Sequence, residues 1–325
     1  MKKRKNITYA IGVDIGGTSI RCGLVSEKGN LLKGSYKKIP VDSKGSAESI
    51  LITFTSALHH CLKKAKEKKL ELIGIGIGMC GPLDYDKGIS LMKGVDKYES
   101  LYGINLRKEL RSRLKLNPSL KILFDIDSWS FARGEAWLGA GKGYNRILAI
   151  TLGTGFGSAF VVGEKLLSDG PGVPPPYGWI GSLPFRNGKL DDFISKRGIL
   201  NLYQSLTHSV PPKGFDVKDI AMKAKSGDKI CQRTLEEFGQ FLGKALFLSL
   251  KNFRAECLIF GGQISKSFDF FKEPLLKELK QLRFLKKITV AKSLHLSAIK
   301  GSARFIFTCK GRSRPFPATT IHKCD

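Results

Sequence analysis

The strongest constraint on the fold is a strand, glycine turn and strand pattern that occurs twice. Its first copy, Ile11–Val25, has an apolar run with one acid, Asp14, a break at Gly16, Gly17 and Thr18, and a second apolar run. Glycines let the backbone turn tightly and bring its N–H groups close to a bulky anion. The pattern predicts a hairpin that grips phosphate, with an ordinary tight hairpin and a chance acid as the alternative.

The second copy lies at Arg146–Val162, with Gly153 in the place of Gly16 and Thr151 in the place of Asp14. Self-similarity at a constant offset is typical of an internal duplication. The chain is therefore predicted to form two related α/β domains. Their glycine hairpins are expected to face each other and to hold a polyphosphate between them.

Hydrophobic periodicity predicts the order of strands and helices in both halves. In the first half we predict strands at Thr8–Asp14, Ser19–Ser26, Leu31–Ile39, Leu70–Met79 and Lys121–Phe124, and helices at Ser46–Lys68, Leu106–Leu114 and, capped by Ser128, on to Leu138. Beyond the second hairpin we predict helices at Lys189–Leu206, Ile230–Phe253, Glu273–Leu282 and Ala298–Phe307, and strands at Cys257–Phe260 and Lys287–Ala291.

Composition excludes several classes of protein. The net charge is +27, but the lysines are spread along the chain without aromatic-interleaved basic motifs, which favours a solvated basic surface over a nucleic-acid partner. No apolar run approaches the roughly 20 residues of a membrane helix, and the basic start of the chain lacks a cleavage pattern. The seven cysteines show no paired Cys-x-x-Cys spacing. We expect a cytoplasmic protein with reduced thiols, no membrane contact and no structural zinc.

Several short motifs, in this order and spacing, resemble the ROK family of sugar kinases from about Tyr9 to Phe307. They are Asp14-Ile-Gly-Gly-Thr18, Gly78-Met-Cys-Gly-Pro82, Asp127 with Gly134-Glu135, Leu138-Gly-Ala-Gly-Lys-Gly143, Thr151-Leu-Gly-Thr-Gly155 and Phe260-Gly-Gly262. The resemblance implies two related actin-like (ribonuclease H-like) domains, each a mixed sheet flanked by helices, with an interdomain cleft. The implied domains are 1–126, joined by the C-terminal helix near 296–308, and 127–308, followed by a basic, poorly ordered tail at 309–325.

The resemblance also implies a glucokinase-like phosphotransferase that uses ATP and Mg²⁺. Asp127 would accept the proton of the attacking sugar hydroxyl, with Asp125 as a rival, and Mg²⁺ would lie near Asp14, held through water. The implied phosphate and ATP contacts, with Gly261 and Gly262 against the adenosine, are Asp14, Gly16, Gly17, Thr18, Gly153, Thr154, Gly155, Gly157, Gly261 and Gly262. The implied sugar contacts are Gly81, Pro82, Ile126, Trp179, Ser182 and Asp191. A homodimer is the implied assembly.

The chain departs from the family where the sugar is recognised. The family's Asn before the catalytic Asp is Ile126, and its Asn two residues after that Asp is Trp129. The family's Glu-Ile-Gly-His segment is Trp179-Ile-Gly-Ser182, and a later sugar-contacting Glu is Asp191. The cysteine-rich zinc loop is absent from 185–190, in line with no zinc site. Each lost hydrogen bond to a buried group costs on the order of 1–3 kcal/mol, so a different sugar or weak glucose binding is expected.

Two functions remain open from the sequence. One is phosphorylation of a hexose or hexose derivative with ATP, or with polyphosphate, as donor. The other is a catalytically weak or inactive sugar- and nucleotide-binding protein with a regulatory role. A repressor with an N-terminal winged helix-turn-helix is not expected, because few residues precede the first strand.

Overall fold

The structure, a computed structural model, describes residues 7–309, and the predicted basic tail lies outside them apart from Cys309. The chain divides into two compact units. The first runs to Gly134 and resumes at His295, and the second is Glu135–Leu294. The domain limits expected from the sequence, 1–126 and 127–308, stay a prediction, whereas the compact units divide after Gly134.

The helices and strands are numbered in chain order. Up to the end of the first half they are β1 (Thr8–Ile15), β2 (Ser19–Ser26), β3 (Lys37–Pro40), α1 (Ala47–Glu67), β4 (Glu71–Met79), β5 (Leu83–Asp84), β6 (Ile89–Ser90), α2 (Leu106–Arg113), β7 (Lys121–Ile126) and α3 (Asp127–Leu138). The others are β8 (Arg146–Leu152), β9 (Phe156–Val162), β10 (Lys165–Leu167), β11 (Pro184–Phe185), β12 (Gly188–Lys189), α4 (Leu190–Phe193), α5 (Lys196–Thr207), α6 (Val217–Lys225), α7 (Lys229–Phe253), β13 (Cys257–Gly261), α8 (Phe268–Leu279), β14 (Lys287–Val290) and α9 (Leu294–Thr308). No helix within residues 7–309 has the length and apolar character needed to cross a membrane.

Each unit is built on a five-stranded mixed sheet, and the two sheets have the same topology. The strand order is β3-β2-β1-β4-β7 in the first unit and β10-β9-β8-β13-β14 in the second. In both, the central strand pairs antiparallel with its hairpin partner and parallel with the strand on its other side. The predicted fold class of two related mixed sheets flanked by helices is confirmed, and both glycine hairpins are present.

The helices of the first unit pack closely on its sheet. Ser46 caps α1 by accepting a 3.3 Å hydrogen bond from the N–H of Ser49, and the helix buries Ile50, Phe54 and Leu58 as its spacing predicts. On the other side, α9 approaches β1 so closely that a Cβ on Gly12 would lie 1.9 Å from the carbonyl oxygen of Ile299. Glycine is therefore required there, because a larger residue would separate the helix from the sheet.

Several predicted element limits are wrong. The third strand, predicted at Leu31–Ile39, is confined to β3, and Leu31 makes only an isolated bridge to Val25. Ser128 does not cap α3, because the helix begins one residue earlier at Asp127, whose own carboxylate accepts from the N–H of Ser128.

The second half has similar differences. The helix predicted at Lys189–Leu206 is divided into α4 and α5, and α6 was not predicted. The helix predicted to begin at Glu273 begins at Phe268 and contains Pro274. Its first turns are stabilised by packing, since the Phe271 ring contacts that of Phe238 on α7 edge-on at 5.2 Å.

Candidate active site

The candidate site of the first unit lies at one edge of its sheet. β1, β4 and β7 are parallel and in register, with Asp14 opposite Gly78 and Met79 opposite Ile126. Their carboxyl ends therefore meet at the same edge. This brings Asp14, the Cys80-Gly81-Pro82 turn and Asp127 together, which is the usual position of a ligand site in such sheets.

The first glycine turn presents backbone to open space. The N–H of Gly16 donates to the carbonyl of Ser19 at 3.1 Å, and the carbonyl of Gly16 accepts from the Tyr98 hydroxyl at 2.6 Å. A Cβ at Gly17 would meet nothing closer than the Lys97 side chain at 3.9 Å, and Thr18 is exposed. The turn is thus fixed in position but unfilled on its outer side, which suits a phosphate group.

Asp14 is a largely buried acid with a cationic neighbour. Its Oδ2 lies 3.4 Å from Nη1 of Arg21, the residue opposite it on β2, and 4.0 Å from Nδ1 of His295. Burial raises the pKa of Asp14 to about 6, with Arg21 opposing the rise and Asp127 adding to it. The two acids are therefore close enough to interact electrostatically, and a cation between them would be favoured.

Asp127, the predicted general base, lies at the same sheet edge. It is half-buried at the start of α3, and its Oδ1 accepts a 2.7 Å hydrogen bond from the N–H of Ser128. Burial raises the pKa of Asp127, Lys97 lowers it, and Asp125 raises it further. Its rival Asp125 is fully buried and forms an ion pair with Arg133, so its carboxylate faces the protein interior and not a ligand.

Sequence reasoning missed some residues at this edge. Arg21 could have been found from the hairpin register, which pairs it with Asp14. Lys97 and Tyr98 come from a loop far along the chain, and no local pattern distinguishes Lys97 from the other lysines. Burial lowers the pKa of Lys97, but the neighbouring Cys80 and Asp127 outweigh it, so the pKa is raised and the ammonium stays charged.

The second unit has a corresponding edge. In its glycine turn the N–H of Gly153 donates to the carbonyl of Gly155 at 3.1 Å, and Thr154 is exposed. Gly261 pairs with Thr151, beside that turn. The next residue, Gly262, has φ +88°, and a Cβ there would lie 2.0 Å from the Leu152 carbonyl oxygen, so only glycine fits. The glycine turn and the Gly261-Gly262 pair, both predicted to contact the nucleotide, thus lie together.

Three predicted sugar contacts are held by internal hydrogen bonds in the second unit. Asp191 accepts from the N–H of Phe156 at 2.7 Å, next to the glycine turn, and burial raises its pKa while that bond lowers it. The indole N–H of Trp179 donates to the carbonyl of Phe156 at 2.9 Å, and the Ser182 hydroxyl donates to the Trp179 carbonyl at 3.3 Å. The other predicted sugar positions, Gly81, Pro82 and Ile126, lie at the edge of the first sheet.

Metal binding was predicted at Asp14 alone. Across the part of the chain that the structure describes, no three or more His, Cys, Asp or Glu side chains are grouped so as to hold a metal ion. Mg²⁺ binding at Asp14 stays a prediction.

Comparison with known proteins identifies the family. The model of the ROK family matches residues 10–306. The chain belongs to the ROK family. This confirms the resemblance drawn from the glycine turns and Asp127.

Individual relatives of this ROK protein include both kinases and regulators. A glucokinase of Streptomyces coelicolor is 26% identical over 292 residues, covering 83% of this chain and 87% of the relative. A xylose repressor of Caldicellulosiruptor bescii is 22% identical over 330 residues, covering 95% of this chain and 80% of the relative.

Solved structures agree on the fold. The ROK hexokinase of Thermus thermophilus superimposes with a TM-score of 0.73 at 20% identity, covering 91% of this chain and 97% of that one. A ROK family glucokinase of Streptomyces griseus, in complex with glucose and AMPPNP, superimposes with a TM-score of 0.70 at 23% identity. The superposition covers 91% of this chain and 98% of that one. At these identities the likeness shows that the actin-like two-domain fold is shared.

Proposed function

We propose that this ROK protein is a kinase that transfers the γ-phosphoryl group of ATP to a hydroxyl of a hexose or hexose derivative. The observation that carries the proposal is the position of Asp127 beside Asp14 and the Gly16–Gly17 turn at one sheet edge. A base, an acid that can attract a metal ion and a glycine backbone that a phosphate can approach are the parts that phosphoryl transfer needs, since it depends mainly on positioning and charge neutralisation.

In the proposed reaction Asp127 is the general base. Its carboxylate takes the proton of the sugar hydroxyl while that oxygen bonds to the γ-phosphorus and the bond from phosphorus to the departing ADP oxygen breaks. Burial raises the pKa of Asp127 toward neutral pH, and a general base is most efficient when its pKa lies near the working pH. Bound Mg²⁺ would supply positive charge to the phosphate oxygens.

Other residues have supporting roles in the proposal. Asp14 would orient water ligands of the metal, and the backbone of Gly16 and Gly17 would contact phosphate oxygens. In the second unit, the turn at Gly153–Gly155 and the Gly261-Gly262 pair would contact the nucleotide. The AMPPNP complex of the S. griseus relative supports ATP as the donor.

An assay of ADP release tests the proposal. Wild-type protein is supplied with Mg-ATP, or with polyphosphate, and a panel of hexoses and N-acylated hexosamines. We expect turnover of at least one sugar, and a loss of roughly 10²–10⁴-fold in Asp127→Asn, as for removal of a general base. Asp96→Asn, a change at an 86% exposed carboxylate, is the matched control and should behave as wild type. Absence of turnover by folded protein on every sugar would refute the kinase proposal.

A second candidate is a sugar- and nucleotide-binding regulator. The observation that favours it is that Trp179, Ser182 and Asp191 make hydrogen bonds within the second unit. The similarity to xylose repressors is in line with it. If sugar and ATP each raise the melting temperature while wild type and Asp127→Asn are equally inactive, the regulator replaces the kinase.

A further inference from the structure

Lys97 occupies a position at the sheet edge that the proposed function has not used. The next residue, Tyr98, is fully buried, and its hydroxyl donates to the Gly16 carbonyl at 2.6 Å. Its N–H also donates to the Ser43 carbonyl at 2.5 Å. The loop is therefore fixed at both backbone and side chain, and Lys97 is held beside the first glycine turn.

The Lys97 side chain extends along that turn. Its Cδ lies 3.9 Å from where a Cβ of Gly17 would be, and its ammonium interacts with the Cys80 thiol and with the charge of Asp127. The Lys97 side chain thus passes the proposed phosphate position, and its ammonium lies near the proposed base, Asp127.

The other acids at this edge have cations of their own. Asp14 lies near Arg21 and His295, and Asp125 is paired with Arg133. Within residues 7–309 no carboxylate oxygen forms an ion pair with Lys97. The half-buried ammonium is charged and can therefore pair with an anion that enters the site.

We propose that Lys97 binds the phosphoryl group as it passes between the Gly16–Gly17 turn and the sugar oxygen deprotonated by Asp127. This rests on the proposed kinase function. The ammonium neutralises charge that spreads over the equatorial oxygens in the transition state, which is where fixed positive charge accelerates transfer. Lys97 is then a catalytic residue of this chain, supplied by a loop rather than by either glycine hairpin.

The first test compares steady-state kinetics of Lys97→Gln, Lys97→Arg and wild type. We expect Lys97→Gln to lower kcat about 10²–10³-fold, the range for loss of one fixed transition-state contact, with the KM of the sugar changed by less than about threefold. Lys97→Arg should recover part of the rate, because the charge is kept. Lys93→Gln, which removes an exposed lysine of the same loop, is the matched control and should leave the rate unchanged. A kcat of Lys97→Gln within twofold of wild type overturns the inference.

The second test does not need turnover, so it separates this inference from the kinase proposal. Affinity for Mg-ADP is measured with and without aluminium fluoride, which mimics the phosphoryl group in transfer. Wild type should bind Mg-ADP more tightly with aluminium fluoride than without it. In Lys97→Gln the ratio of these two affinities should fall at least tenfold, while the affinity for Mg-ADP alone stays that of wild type. An unchanged preference, or none in wild type, overturns the role of Lys97. Failure of wild type to phosphorylate any sugar bears instead on the proposed function.

A pH profile identifies the electrostatic contribution of Lys97. Because its charge lowers the pKa of Asp127, its removal should raise that pKa. The acid limb of kcat/KM, where the base becomes protonated, should then move to higher pH in Lys97→Gln but not in Lys97→Arg. If the acid limb of kcat/KM lies at the same pH in wild type and in both variants, Lys97 does not interact with Asp127.

Discussion

The hydroxyl of Tyr98 donates a 2.6 Å hydrogen bond to the carbonyl oxygen of Gly16 and so joins a distant loop to the first glycine turn. The Tyr98 ring is fully buried and meets Phe54 of α1 edge-on at 5.9 Å. The position of the turn therefore depends on the packed core as well as on its own glycines. This bond also fixes the neighbouring Lys97 beside the turn.

Tyr98→Phe should loosen the first turn. The change keeps the ring but leaves the Gly16 carbonyl without its donor, which costs about 1–3 kcal/mol of unfolding free energy. We expect the loss in urea unfolding together with weaker binding of ATP. Tyr102→Phe, at a tyrosine that is 56% exposed, is the control and should change neither quantity. Equal stability of the two variants would mean that the bond contributes nothing.

Asp14 should destabilise the protein at neutral pH. Burial raises its pKa from 3.8 to about 6, so folding favours the protonated form. Its stabilising contribution is present below about pH 4, the pKa of the unfolded chain, and is lost as pH rises through about 6. Asp14→Asn should therefore raise the unfolding free energy by on the order of 1–3 kcal/mol relative to wild type at pH 8, and by little at pH 4.

Urea unfolding of wild type and Asp14→Asn from pH 4 to pH 8 measures this difference. The same variant should lose kinase activity, because the amide carries no charge for a metal ion. A stability difference that is constant over the whole range would show that Asp14 has an ordinary pKa. Asp42→Asn, the same substitution at an exposed acid of the first unit, is the control.

Asp125 and Asp127 should respond in opposite ways to the same substitution. Asp125→Asn breaks a fully buried ion pair and leaves the Arg133 charge uncompensated, which costs about 3–5 kcal/mol. Asp127→Asn removes a charge that burial disfavours, so stability should be kept while activity is lost. Chemical denaturation of both variants with activity assays tests the contrast. If Asp125→Asn is fully stable and inactive, the rival is the base.

Asp191 should affect the nucleotide more than the sugar. Its carboxylate accepts from the Phe156 N–H beside the second glycine turn, so Asp191→Ala should loosen that turn and weaken Mg-ADP binding about three- to tenfold, corresponding to roughly 1 kcal/mol for one hydrogen bond. Calorimetric titration with Mg-ADP measures the effect. Asp192→Ala is the control, because its carboxylate accepts from the Lys189 N–H and not from the Phe156 N–H, although both acids lie within ion-pair distance of Arg197. A rise in sugar KM with unchanged Mg-ADP affinity would support the original sugar-contact prediction.

Elements with strong local signals were predictable. Both hairpins, the helix α1 and the long apolar-rich helix α7 follow from glycine spacing and helical periodicity. The predicted limits of helices and strands were wrong where contacts with distant segments override the local preference for a helix or strand. At 189–206 the helix is interrupted between α4 and α5, where the N–H of Lys196 donates to the Gly153 carbonyl at 3.0 Å and ties the chain to the second turn. No periodicity within the segment predicts that break.

The sequence by itself determined the duplicated α/β pattern, the two glycine turns and the acid after β7, because each depends on residues close together in the chain. The tertiary structure decided which groups surround those features. Arg21 beside Asp14, Arg133 on Asp125, Tyr98 on Gly16 and Lys97 near Asp127 all depend on how loops and strands meet at a sheet edge. Burial and charge there, which shift the pKa values of Asp14 and Asp127, arise from contacts between distant segments that only folding brings together.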